Sequence, residues 1–179
     1  MNTERLTVVD RNDRPIGVAP RQWIHRRGLR HRSVHVLVFD PAGRILLQKR
    51  ARNKDENPGL WDTSAAGHVA AGERYVQAAR RELAEELGIR PQAPLRRVFR
   101  IPASAATGWE FCAVYRVLHC GAIRPDPSEI ERVQWFTAAD IGRWVDADVS
   151  ELTLAFKAIW RIYRTQRSHP GVEIPDAPA

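Results

Sequence analysis

The chain has 179 residues, 44% of them hydrophobic and 27% charged, and a net charge of +7. That length suits one domain with a core of its own. No apolar run approaches the roughly 20 residues of a membrane span, and Met1–Arg5 has no apolar stretch behind it, so neither a membrane protein nor a secretory signal is expected and the setting reads as cytoplasmic. Much of the positive charge lies in Arg21–Arg32, which suits an anionic partner, either nucleic acid or a phosphorylated small molecule. No nucleic-acid recognition motif accompanies it, so nucleic acid is not the expected partner. Cys112 and Cys120 stand in no metal-ligand spacing and read as two half-buried thiols in or near a strand rather than a disulfide.

In chain order, Leu6–Asp10 reads as a strand, Asn12–Pro15 as a turn and Ile16–Ala19 as a returning hairpin arm. Val34–Phe39 and Arg44–Arg50 are strands joined by the turn Asp40–Gly43. A polar loop runs to Gly59, Trp61–Ala66 is short and partly buried, and Gly67–Gly72 is a turn. Tyr75–Leu87 is a helix whose Val76, Ala79, Leu83 and Leu87 share one face, with Gly88 at its C-terminal cap. Strands follow at Val98–Ile101, Phe111–Leu118 and Val133–Phe136, then helices at Ala138–Trp144 and Glu151–Arg164. Residues 1–168 form a single domain, and 169–179, with Pro170, Pro175 and Pro178, read as a disordered tail. Mixed elements in this order predict an α/β domain with helices on both faces of a sheet.

Glu82, Glu85 and Glu86 lie at i, i+3 and i+4 of the predicted helix and span an arc of about 100°. Carboxylates so gathered repel one another, and a hard divalent cation turns that repulsion into attraction. Mg²⁺ takes oxygen ligands and keeps waters and substrate phosphates in its shell. Glu-rich helix faces are also common as plain solvated surface, with Arg80 and Arg81 available as partners.

The wider pattern is Gly67, Glu73, then Arg81-Glu82-Leu83-x-Glu85-Glu86-x-Gly88-Ile89. It resembles the Nudix box, G-x5-E-x7-R-E-U-x-E-E-x-G-U with U aliphatic, at every fixed position of 67–89. The resemblance implies a Nudix-type α/β/α sandwich around a mixed β-sheet. It implies Mg²⁺ or Mn²⁺ held by Glu82, Glu85 and Glu86, with the backbone carbonyl of Gly67. Arg81 matches the arginine that orients a box glutamate, and Glu73 the residue that ties loop to helix.

Asp10-x-x-Asp13-x-Pro15-x-Gly17, Gly28-Leu29-x-His31-Arg32, Gln48-Lys49-Arg50, Lys54, Pro58-Gly59-x-Trp61 and Gly67-His68 look like the branch of isopentenyl-diphosphate isomerase and its hydrolase relatives. Arg50 and Lys54 match positions that hold the diphosphate there; solubility at a strand end explains them equally well. The isomerase keeps a cysteine before its Gly-His pair, and this chain has Ala66. The isomerase also binds a metal through three histidines and a Glu-x-Glu pair. His31 and His68 match two of these, His25 matches with a one-residue gap, and Glu110 matches the second glutamate where Gly108 replaces the first. That second site looks half-dismantled, and His25 and His31 read equally well as ordinary surface or core-edge histidines. A further carboxylate comes from a downstream loop in many relatives; Glu110, Glu129 and Glu131 are its candidates, and the general base stays unassigned among them.

The expectation is a metal-dependent hydrolase that cleaves a diphosphate-type bond in a small molecule, a nucleoside diphosphate linked to another group or a similar diphosphate. The alternatives are an isopentenyl-diphosphate isomerase, disfavoured by Ala66, and a non-catalytic nucleotide-binding module. A homodimer stays open, since no residue speaks to it.

Overall fold

The computed structural model describes residues 4–167; the expected tail at 169–179 lies outside them. Strand β1 (Arg5–Val9) and β2 (Pro15–Pro20) form a hairpin, followed by helix α1 (Arg21–Arg27). The main sheet contains β3 (His31–Phe39), β4 (Ile45–Arg50), β5 (Trp61–Asp62), β6 (Ala65–His68), β7 (Arg96–Ile101), β8 (Glu110–Leu118) and β9 (Ile130–Phe136). Helix α2 is Tyr75–Leu87, α3 is Ala138–Asp146 and α4 is Leu154–Arg167. β3 pairs parallel with β8 and antiparallel with β4 and β6, so the sheet is mixed.

Alternation along β3 builds two cores. Val34, Val36 and Val38 pack against Ala79, Leu83 and Leu87 of α2. Leu37 and Phe39 face the other way, against Ile141 and Val145 of α3 and Phe156, Ile159 and Trp160 of α4. The result is the expected α/β/α sandwich.

The sheet forks where the site is built. β3 and β4 pair only at Val38↔Leu46 and Phe39↔Ile45, and β6 takes over the same edge of β3 from Val36 to Ser33. Ser64 fills the fork: its hydroxyl accepts from the Val38 N–H at 2.8 Å and donates to the Leu46 carbonyl at 2.5 Å. Two backbone groups that would otherwise be buried without partners are thereby satisfied.

Several expectations change. Helix α1 was not anticipated: Ile24 is its one buried side chain, too little apolar periodicity to register among arginines. Trp61–Ala66 is two short strands, and Gly67 lies on β6 rather than in a turn. β3, β8 and β9 begin earlier than their apolar runs, with His31, Glu110 and Ile130. Cys112 is buried in β8 and Cys120 is exposed, so neither thiol is half-buried. The Arg21–Arg32 charge is largely spoken for. Arg21 pairs with Glu4, Asp55 and Glu56, Arg32 with Asp13, and Arg27 and Arg30 lie over Trp23 and Trp109. Asp13, in a left-handed turn, also accepts from Tyr75 and Arg100, which ties the hairpin to the main sheet and to α2.

Candidate active site

α2 ends where Gly88 turns left-handed at φ 67°, and the Ile89 N–H returns to the Leu83 carbonyl at 3.0 Å, a glycine stop that fixes the last turn. On this turn the three glutamates part company. Glu82 and Glu86 are buried, whereas the Glu85 side chain is 60% exposed at the rim. Glu86 Oε2 sits in the fork, accepting from Gln48 Nε2 of β4 at 3.0 Å and from the Ala66 N–H of β6 at 3.1 Å. Glu82 lies flat against Gly67, where a Cβ would come within 2.1 Å of its Oε1. Only glycine leaves room for that carboxylate, the physical reason for a glycine at this position.

Arg81 organises the group. It makes a two-pronged contact with Glu73, Nε to Oε1 and Nη2 to Oε2, each at 3.0 Å. Nη1 donates to Glu82 at 2.6 Å and Glu85 at 3.1 Å, and Nη2 to the His68 carbonyl at 2.9 Å. Glu73 also accepts from the Ala70 N–H at 3.0 Å, so the loop is tied to the helix. Burial pushes the Glu82 carboxyl up to about 7 despite Arg81. Burial, with Glu82 beside it, pushes Glu86 up to about 8. Two buried acids so disfavoured as anions are a donor set suited to a hard divalent cation.

Lys54 and Arg50 are both engaged within the protein. Lys54 is ion-paired to Glu129, and Arg50 Nε donates to the Glu56 carbonyl at 3.1 Å. The Glu129 loop is hung from α2, the Asp126 N–H donating to the Glu86 carbonyl at 2.9 Å, and Glu129 adds its charge to the field on Glu86. Glu131 instead pairs with Lys49 and Arg52. Of the three downstream candidates, Glu129 lies on the loop that α2 holds and acts on Glu86. The role of Gln48 in holding Glu86 has no local sequence signal; only the fork reveals it.

Glu110 belongs to a second constellation, formed because α1 closes the one-residue gap at His25. His25, His31, His68 and Glu110 offer ligand atoms all within 4.8 Å of one another. His25 Nε2 and His68 Nε2 are 3.1 Å apart, and Glu110 Oε1 is 3.4 Å from His31 Nε2 and 3.3 Å from His68 Nε2. Each Nδ1 faces an oxygen: Glu56 at 3.1 Å from His25, the Leu29 carbonyl at 2.9 Å from His31, and Glu4 at 3.8 Å from His68. With a hydrogen on each Nδ1, a metal ion among the four groups would meet three Nε2 lone pairs and the Glu110 carboxylate, the arrangement that outer oxygens create around metal-binding histidines. Nε2 of His31 is buried without a hydrogen-bond partner. These histidines are thus not ordinary surface residues, and the half-dismantled site retains four converging donors. Burial would raise the Glu110 carboxyl, but His31 and His68 hold it well below the usual range.

Buried acids on a helix and an arginine that clamps them form a donor set that could hold a divalent cation. A family model described as NUDIX domain matches residues 29–154, and the chain belongs to the Nudix hydrolase family. It is 36% identical over 158 residues to an isopentenyl-diphosphate Delta-isomerase of Burkholderia multivorans, covering 86% of this chain and 89% of the relative. It is 38% identical over 134 residues to an uncharacterized Nudix hydrolase of Pseudomonas aeruginosa, covering 75% and 79%. A crystal structure of a Deinococcus radiodurans protein superposes with a TM-score of 0.78 at 25% identity, covering 89% of this chain and 98% of that one. Among the described residues, no helix is long and apolar enough to cross a membrane.

Proposed function

We propose that this protein is a Mg²⁺-dependent hydrolase, with Mn²⁺ able to substitute, that cleaves a diphosphate-type bond in a nucleoside diphosphate linked to another group or a similar small diphosphate. The observation that carries the reading is the buried pair Glu82 and Glu86, with Glu129 and its partner Lys54 on the loop that hangs from the same helix. Glu82, Glu85, Glu86 and the Gly67 carbonyl would hold the ion, which withdraws charge from the phosphoryl group. Arg81 holds Glu82 and Glu85 at the angle the ion needs. Arg50 and Lys54 bind the non-scissile phosphoryl group, and Lys54 leaves Glu129 as it does so. Glu129, freed of its partner, accepts the proton of the attacking water.

The reading takes residues 1–168 as one domain working in the cytoplasm. The intact set of Glu82, Glu85 and Glu86 argues against a non-catalytic binding module. Arg50→Ala is expected to raise KM more than it lowers kcat, because its contact is the same in ground and transition states. Steady-state kinetics on any turned-over diphosphate checks this; a wild-type KM would make Arg50 surface decoration.

The histidine cluster favours a second metal in the same protein. Three Nε2 atoms and a carboxylate suit Mn²⁺ or Zn²⁺ better than Mg²⁺. Protein loaded with Mn²⁺ and dialysed is expected to carry an ion that His68→Ala loses while retaining its fold by circular dichroism. Equal metal content in the two proteins would show the cluster to be structural. An isomerase would use such a site too; Ala66, which supplies no thiol, is what argues against that activity.

A further inference from the structure

The face of β3 that carries Leu37 and Phe39 into the α3–α4 core changes character toward the strand's start. There the side chains of the same parity are His31, Ser33 and His35. Register places His35 opposite Ala66 of β6, and Ser33 opposite both His68 of β6 and Cys112 of β8. Directly opposed residues share a face, so a polar row runs from the histidine cluster across Ser33 to His35, with Ala66 and Cys112 beside it.

Two features of this row point outward to a ligand. Ser33 is 3% exposed, yet its Oγ has no hydrogen-bond partner, and buried hydroxyls are rarely left so. His35 is buried and aimed. Its Nδ1 lies 2.9 Å from Thr63 Oγ1, and the Thr63 hydroxyl donates to the Ala65 carbonyl at 3.3 Å. A hydroxyl has one hydrogen to give, so Thr63 accepts and the hydrogen of that contact is on Nδ1. Asp62 Oδ1, 3.8 Å from Nδ1, favours the same orientation. Nε2 is left on the side of Cys112, a weak partner.

Ala66 connects this row to the carboxylates: its N–H holds Glu86, while its methyl lies on the face of His35. With the phosphoryl group at Glu86, as the hydrolase reading places it, Ala66 is the bridge along which the rest of the substrate would reach His35 and Ser33. A hydrocarbon chain laid there would leave Ser33 Oγ unpaired and His35 Nε2 with only the Cys112 thiol, which costs binding. A hydroxyl donates and accepts, so it satisfies Ser33 Oγ and His35 Nε2 whichever way their hydrogens lie.

We propose that Ser33 and His35 are specificity-determining residues that hydrogen-bond a hydroxylated group beyond the diphosphate, so that the enzyme selects a polyol- or sugar-linked diphosphate over an alkenyl one. This rests on the hydrolase reading for the placement of the diphosphate. The test is calorimetric binding, with Ca²⁺ in place of Mg²⁺, of two ligands of similar size: 2,3-dihydroxypropyl diphosphate and isopentenyl diphosphate. The wild type binds the dihydroxylated ligand about tenfold tighter, the scale of one hydrogen bond. Ser33→Ala and His35→Gln each lose most of that preference, through weaker binding of the dihydroxylated ligand alone. Equal binding of both ligands by the wild type, or variants that weaken both alike, overturns the proposal. Should His35→Gln fail to fold, Ser33→Ala still decides, since it removes a hydroxyl with no protein partner. Binding is read without turnover, so a preference seen in protein that releases no phosphate under Mg²⁺ would count against the hydrolase reading and leave the selectivity standing.

Discussion

Glu86→Gln is expected to lower Mg²⁺-dependent turnover by about two orders of magnitude or more, the scale on which removal of a charge-stabilising group is felt. The exchange keeps the side chain's size and one acceptor oxygen, so Gln48 Nε2 and the Ala66 N–H keep their partner. It replaces a carboxyl that burial, with Glu82 and Glu129 beside it, already makes costly to ionise, so the melting temperature is expected to hold or rise. Sequence periodicity would place this residue off the apolar stripe and hence in solvent, but Glu86 is 4% exposed. The fold survives the substitution because the amide replaces the carboxylate's hydrogen bonding, not because the position is open. Kinetics and thermal melting of the purified variant check both parts. Full activity would remove this helix from the metal site.

Isopentenyl diphosphate incubated with the protein and Mg²⁺ in deuterated water is expected to come back with no deuterium in its carbon skeleton. Moving that double bond needs a proton donor on one side of the chain and an acceptor on the other. Ala66 supplies neither, and Gly108, left-handed at φ 62°, removes a carboxylate that the isomerase pattern carries. Cys112 does bring a thiol to the same sheet face, but β3 lies between β6 and β8 and Cys112 is two residues out of register with Ala66, so it stands about 12 Å from the Ala66 position at ordinary strand spacing and rise. Mass spectrometry of the recovered ligand decides. Deuterium above a protein-free control would promote the isomerase and displace the hydrolase.

What sequence reading captured and what it missed divide along contact range. The box helix and its glycine stop are local, and periodicity exposes them; the ties made by Arg81 and Glu73 are legible only through the resemblance to the Nudix box. The division of labour among the glutamates was not visible, because polarity assigns all three to solvent while packing buries Glu82 and Glu86 beside Ala78, Ala79, Leu83 and Leu87. The histidine cluster depends on α1, a seven-residue helix with one buried side chain, which brings His25 to a partner 43 positions away. The Lys54–Glu129 pair spans 75 positions and exists only because the Glu129 loop hangs from the end of α2. Ser64 in the fork and the unpartnered Ser33 have no signature in any local window, since sheet register alone defines both.

The most direct test of metal-assisted hydrolysis at this site is a panel of nucleotide, sugar-nucleotide and prenyl diphosphates turned over in ¹⁸O-labelled water. At least one member is expected to release a phosphate product carrying ¹⁸O, with the release abolished by chelator, restored by Mg²⁺ and nearly lost in Glu86→Gln. Release that is indifferent to chelator and to Glu86→Gln, or no labelled phosphate from any member, would contradict the account.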